Sequence, residues 1–164
     1  MNRTCYLSLG SNLGDRAATL RRAIGELSAH PRIELRQVSS VYETKPVTAE
    51  PQPDYLNLAV ALETDLEPLE LLHVTQEIEQ RLGRTRPHPN APRTIDIDLL
   101  TCGDIMVQTA ELTLPHPRML QRQFVLVPLA DLDVDLCVGD ARPVGELADR
   151  GGPDVRLVGG LAEG

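Results

Sequence analysis

The segment Arg93-Thr94-Ile95-Asp96-Ile97-Asp98-Leu99-Leu100 alternates carboxylates with aliphatics. A period of two is the pattern of a strand with one face in a core and the other outside it. On such a strand Asp96 and Asp98 share one face, while Ile95, Ile97 and Leu99 share the opposite one. The two like charges stand about 7 Å apart by the strand rise and repel unless a cation sits between them. Mg²⁺ suits that position, because it binds through one or two carboxylates and takes its other ligands from water and phosphate oxygens. Arg93, three residues upstream of Asp96, suits a phosphate-rich ligand. By itself a D-x-D pair is more often a solvated strand face, so the surrounding residues decide.

The chain has 164 residues, 41% hydrophobic and 24% charged. That composition predicts one domain over residues 1–164 with a core of its own. It has no run of apolar residues long enough for a transmembrane helix. The first residues pass straight into an alternating segment, without the apolar stretch of a secretory signal. Cys5, Cys102 and Cys137 are too far apart for a metal cluster and read as reduced thiols of a cytoplasmic protein. A net charge of −8 argues against nucleic-acid or anionic-membrane partners. The distribution is uneven. Residues 81–122 hold six arginines (81, 84, 86, 93, 118, 122) and four acids (96, 98, 104, 111), a balance of +2 that leaves −10 for the remainder. The cations therefore gather around the paired aspartates.

Residues 4–10 alternate and predict a first strand. The turn Ser11-Asn12-Leu13-Gly14-Asp15 offers Asn12 or Asp15 as the cap of a helix over 16–29. Residues 33–42 read as a second strand, and a proline-containing loop follows over 44–54. A third strand spans 55–62. Pro68 opens a second helix over 69–82, which Gly83 ends. The basic loop 84–92 leads into the Asp96 strand. The order β-α-β-β-α-β predicts an α+β, ferredoxin-like core. Beyond it, residues 105–107 read as a short strand, 112–117 as extended, and 119–129 as beginning in a helical turn. Residues after Asp140 read as a weakly structured tail.

Four groups carry possible chemistry. Gly10-Ser11-Asn12-Leu13-Gly14-Asp15 lies at a strand-to-helix turn, where backbone amides can bind an anion, although by itself the segment reads better as a structural turn. Arg84, Arg86 and Arg93 offer planar forks for phosphate oxygens beside the acidic strand. Pro115-His116-Pro117-Arg118 with Arg122 and Phe124 adds a second basic group. The chain has only four aromatics, three Tyr and one Phe, which makes Tyr55 and Phe124 scarce stacking platforms. Asn57 provides a donor and an acceptor for the edge of a flat heterocycle.

Taken together, these motifs resemble one family, 6-hydroxymethyl-7,8-dihydropterin pyrophosphokinase of the folate pathway. The similarity runs through Y-L-S-L-G-S-N-L-G (6–14), S-S-V-Y-E-T (39–44), Q-P-D-Y-L-N (52–57), Q-E-I-E (76–79) and G-R-T-R (83–86). It continues through P-R-T-I-D-I-D-L-L (92–100) and L-P-H-P-R-M (114–119) to R-Q-F (122–124), about three-quarters of the chain in order. The resemblance implies a three-layer αβα arrangement with a ferredoxin-like core and extra C-terminal strand and helix elements. It also implies pyrophosphoryl transfer from ATP to the pterin hydroxymethyl group, with release of AMP, by a monomer.

Carried over residue by residue, the resemblance implies that Asp96 and Asp98 hold two Mg²⁺ ions and that Arg84 and Arg93 act on the phosphates. Arg86, Gln76, Glu79, His116 and Arg122 fall on the ATP side, with Ile97, Leu99 and Thr113 near the nucleotide. Tyr55 and Phe124 would stack on the pterin. Asn57 and the backbone around Thr44 and Val47 would read its polar edge. No general base is evident: Asp96 or Asp98 can accept the hydroxyl proton, or metal coordination can lower its pKa. The chain departs from the family in having no tryptophan in a short, proline-containing loop 84–92. It also has Pro117 where an aromatic is frequent and Glu111 where an arginine occurs. Another D-x-D nucleotidyl- or glycosyl-transferase would explain the aspartates but not Tyr55, Asn57 and Phe124. A non-catalytic binding module would have little use for both carboxylates and arginines.

Overall fold

The computed structural model describes residues 2–45, 53–83, 95–149, 151–152 and 154–161. Its first half runs β1 (Arg3–Ser11), α1 (Arg16–Ala29), β2 (Ile33–Val38), β3 (Val41–Thr44), β4 (Tyr55–Thr64) and α2 (Pro68–Arg81). The second half runs β5 (Asp96–Cys102), β6 (Val107–Gln108), β7 (Thr113–Leu114), α3 (Gln123–Leu132), α4 (Val144–Leu147) and β8 (Val155–Gly159). A 3₁₀ turn at Met119–Gln121 precedes α3. The main sheet has the order β5-β1-β4-β3-β8, with β2 also on β4, and its pairings are antiparallel. Helices and an antiparallel sheet make this an α+β protein. No helix among the described residues is long and apolar enough to cross a membrane.

Alternation assigns the faces. Cys5, Leu7 and Leu9 of β1 join Leu58, Val60 and Leu62 of β4 and Ile97 and Leu99 of β5 in the main core. That core is closed by Leu20, Ala23 and Leu27 of α1 and Leu71 and Ile78 of α2. The opposite face, carrying Tyr6 and Leu100, packs against Met119, Val125, Leu126 and Leu129 at and within α3. The starts of α1 and α2 use side-chain caps. Asp15 Oδ1 accepts from the Ala18 N–H at 3.1 Å, and Glu67 with Glu70 forms a capping box ahead of Pro68, replacing amide partners that a helix start lacks.

Several sequence expectations need correction. β1 extends through Ser11, one residue beyond the expected 4–10, so the turn begins at Asn12. The strand expected over 33–42 breaks at Ser39–Ser40 into β2 and β3, each paired with β4. Side-chain groups take part in the hydrogen bonding at that break. Ser39 Oγ accepts from the Ala59 N–H at 2.8 Å, and Asp131 Oδ2 accepts from the Ser40 N–H at 3.3 Å and from the Tyr42 hydroxyl at 2.6 Å. The short strand expected at 105–107 begins at Val107 and pairs with β7.

The segment after Asp140, read as weakly structured, contains α4 and β8. β8 pairs with β3 through Tyr42↔Leu157 and Thr44↔Val155. Its short period-2 run was obscured by the glycines around it. Val155 is buried against Tyr42 and Val127. Val155→Ala should therefore lower the unfolding free energy by about 1–2 kcal/mol in urea titrations, whereas a merely appended tail predicts a change under about 0.5 kcal/mol.

Candidate active site

The sheet register builds the site as a row. Asp96 of β5 stands opposite Gly10 of β1, Gly10 opposite Asn57 of β4, and Asn57 opposite Tyr42 of β3. One step along, Asp98 faces Ser8, which faces Ala59. Directly opposed residues of an antiparallel ladder project from the same face, so the aspartates, Asn57 and Tyr55 lie on the face that α3 covers. Asp96 and Asp98 are half-buried. Between them the Ile97 N–H donates to Glu79 Oε2 at 2.8 Å. Glu79 is 4% exposed. The buried carboxylate thus fixes the backbone from which both aspartates project.

Asn57 is the most informative polar side chain. It is 4% exposed, and its Nδ2 donates to Thr44 Oγ1 at 2.5 Å. The Oδ1 end has no protein donor among the described residues, an expensive condition for a buried amide unless a ligand completes it. Thr44, itself buried, keeps a hydroxyl proton to donate. The chain entering β4 is held by Arg16, whose Nη1 donates to the Asp54 carbonyl at 2.8 Å and to Glu43 Oε2 at 2.9 Å. Arg156 of β8 pairs with the other Glu43 oxygen. Tyr55, next in sequence, is half-buried.

On the α3 side, the Arg122 guanidinium lies 5.5 Å from the centroid of the half-buried Phe124 ring, a cation–π contact. Pro128 lies inside α3 and lacks the N–H that the Phe124 carbonyl would otherwise accept. His116 is anchored by its N–H donating to the Leu100 carbonyl at 2.9 Å. Its Nδ1 accepts from the Arg118 N–H at 3.2 Å, which leaves Nε2 as the protonated nitrogen of the neutral ring. Burial, then the nearby Arg122 guanidinium, pushes the imidazole pKa below its ordinary value. Arg118 adds to that effect and Asp96 opposes it.

A cavity of about 260 Å³ opens beside this group, lined by Leu72, Ile97, Asp98, Leu99, Thr113 and His116 among others. Its aliphatic wall and polar end are the pattern of a small-molecule site. Glu111 also lines it and stands 3.4 Å from His73 Nε2. Leu72 enters from α2 and had no signal in the sequence beyond a helical apolar position. Gln76, expected on the nucleotide side, is exposed on α2 and is not part of the cavity wall. Arg84, Arg86, Arg93 and Val47 lie outside the described residues. Among those described, no cluster of three or more metal-ligating side chains occurs. The donor set is the pair Asp96 and Asp98, hard oxygen ligands on one strand face, which fits Mg²⁺ shared with phosphate oxygens and water.

The family model described as 7,8-dihydro-6-hydroxymethylpterin-pyrophosphokinase matches residues 6–134. The 2-amino-4-hydroxy-6-hydroxymethyldihydropteridine pyrophosphokinase of Bacillus subtilis is 48% identical over 132 residues, covering 80% of this chain and 79% of that protein. The Haemophilus influenzae protein of the same name is 39% identical over 144 residues, covering 88% and 90%. Among solved structures, a Plasmodium falciparum HPPK-DHPS with pterin and p-hydroxybenzoate superposes with a TM-score of 0.71 at 15% identity. The match covers 90% of this chain and 41% of that longer one, a likeness of fold. The chain belongs to the 7,8-dihydro-6-hydroxymethylpterin-pyrophosphokinase family and is an enzyme of the pyrophosphokinase class.

Proposed function

We propose that the protein transfers the pyrophosphoryl group of ATP to 6-hydroxymethyl-7,8-dihydropterin, forming the pterin diphosphate and AMP in folate biosynthesis. The observation that carries this reading is the buried Asn57 amide, one end without a protein partner, on the same cross-strand row as Asp96. A flat heterocycle with a donor–acceptor edge satisfies that amide, and a triphosphate suits the carboxylates and arginines beside it. The strand order β5-β1-β4 with β2 and β3 beyond β4 supports a ferredoxin-like core.

In this reading Tyr55 and Phe124 stack on the pterin, while Asn57, Thr44 and the backbone at Val47 bind its edge. Ile97, Leu99 and Thr113 line the nucleotide side of the cavity, and Gln76 acts on the nucleotide from the exposed face of α2. His116, neutral and protonated on Nε2, donates to a nucleotide oxygen, and Arg122 neutralises charge beside it. Arg84, Arg86 and Arg93 hold the triphosphate. Arg84 supplies charge stabilisation as the bond between the α–β bridging oxygen and the β-phosphorus breaks. Asp96 and Asp98 hold two Mg²⁺ ions, with Glu79 keeping their strand in place. Bound there, the ions neutralise the triphosphate and favour in-line attack on the β-phosphorus.

Incubation with Mg·ATP and 6-hydroxymethyl-7,8-dihydropterin should release AMP in step with pterin consumption. ADP release, or no pterin-dependent product, would overturn the reading. Asp98→Ala should lower turnover by about 10³-fold or more in the pterin-dependent AMP-release assay. Arg84→Ala should reduce kcat more than ATP affinity, and equal losses would mean ground-state binding alone.

The lowered imidazole pKa adds a pH test. The unfolded chain protonates His116 near 6.5, whereas the folded chain resists protonation until lower pH. The unfolded state therefore binds more protons in that window, and stability rises with pH through it. The contribution is fully present above about pH 6.5 and is lost as pH falls. His116→Asn should flatten the melting temperature of the metal-free protein across this range. Identical pH profiles would mean that the imidazole titrates normally.

A further inference from the structure

Gly10 sits inside a strand, where glycine is ordinarily a cost because it loses backbone entropy and packs nothing. Its backbone does not demand glycine: the positive-φ glycines are Gly14, Gly83, Gly103, Gly139 and Gly159, and Gly10 is not among them. What distinguishes the position is space. A Cβ on Gly10 would stand 2.7 Å from Asn57 Oδ1 and 3.3 Å from Tyr55 Cδ1. The first distance is below van der Waals contact and the second is tight. Asn57 cannot readily yield, because it is 4% exposed and its other amide end is bonded to Thr44 Oγ1 at 2.5 Å.

The amide end that a Cβ would strike is the end left without a protein donor. Swinging it aside breaks the Thr44 bond or turns Oδ1 away from the substrate edge. Gly10 is also opposed by Asp96 on its other side. It therefore forms the bare floor between the residues proposed for the heterocycle and those proposed for the phosphates.

We infer that Gly10 is a positioning residue for the heterocyclic substrate. Its missing side chain is what allows Asn57 to present Oδ1, and Tyr55 its ring, to the pterin. The inference builds on the proposed function but makes a separate physical claim, a steric coupling between positions 10 and 57.

The test uses four proteins: wild type, Gly10→Ala, Asn57→Ala and the double variant. Gly10→Ala should raise KM for the pterin by about tenfold or more, as loss of a ligand hydrogen bond does, while KM for ATP stays within about twofold. In the Asn57→Ala background the same change should cost little further, because the amide it displaces is gone. Losses that multiply in the double variant, or an equal rise in KM for ATP, would overturn the inference.

Melting temperatures without ligand give an independent cycle. Gly10→Ala should melt below wild type, and the double variant should melt no lower than Asn57→Ala alone. A double variant as unstable as the two single losses combined would refute the steric coupling, even if Gly10→Ala is too unstable to assay. Failure of the wild type to bind the pterin would remove the functional reading alone. The ligand-free melting cycle would then decide whether Gly10 and Asn57 are coupled.

Discussion

The β1–β4 ladder is the constraint on which the rest of the structure depends. It pairs every residue of β1, from Arg3↔Thr64 to Ser11↔Leu56, without a break. Because side chains alternate across a sheet, a slip of one residue would turn Asn57 into the main core and Leu58 out toward α3. Leu58, Val60 and Leu62 are each 0% exposed, so burial of that aliphatic set opposes the slip strongly. The register that satisfies the core also brings Gly10 under Asn57. The β1–β5 ladder then sets Asp96 beside Gly10, and a bulge between Tyr6 and Leu7 absorbs its irregularity further along. Core packing and site geometry are thus one constraint seen from two faces of the sheet.

Legibility in the sequence followed how local the determining physics was. The alternation at Asp96 and Asp98, the cap of α1, narrowed to Asn12 or Asp15 and made by Asp15, and Pro68 at the start of α2 all depend on neighbours within a few residues. The break between β2 and β3 could not, because part of the hydrogen bonding there comes from Asp131, about ninety residues away in sequence. β8 was missed for a related reason. Val155 looks unremarkable among glycines until Tyr42 and Val127 close over it. Gly10 was legible as a glycine but not as a spatial requirement, since residues of β4 occupy the place of its missing Cβ. Asp96, Asp98, Tyr55 and Asn57 are singled out in the sequence by residue type, whereas their placement on one face of the sheet is a property of register.

Charge reinforces this arrangement. Arg16 and Arg156 meet at Glu43, linking the starts of α1 and β8 to the strand that carries Thr44. Those cations are used structurally, whereas Arg122 is placed against Phe124 and acts on His116. Glu79, buried beneath β5, accepts the Ile97 N–H between Asp96 and Asp98, a hydrogen bond that stabilises its carboxylate. The acidity of the chain as a whole therefore says little about the local field at the site.

The four aromatic residues divide into two pairs, one bonding α3 to the sheet and the other proposed to stack on the substrate. Tyr42 and Tyr6 use their hydroxyls to grip α3, donating to Asp131 at 2.6 Å and Asp133 at 3.4 Å. Both contacts lie in the C-terminal part of α3 or just beyond it, while Phe124 lies in the first turn. Fixing one end of a short helix at two points on the sheet sets the height and rotation of the other end. Phe124, half-buried, packs against the cluster of Tyr42, Val127 and Val155, and Tyr55 follows the Asp54 carbonyl that Arg16 holds. Removing either tyrosine hydroxyl would leave every proposed ligand-contacting residue in place and still take away one of the two side-chain bonds that fix the C-terminal end of α3 to the sheet.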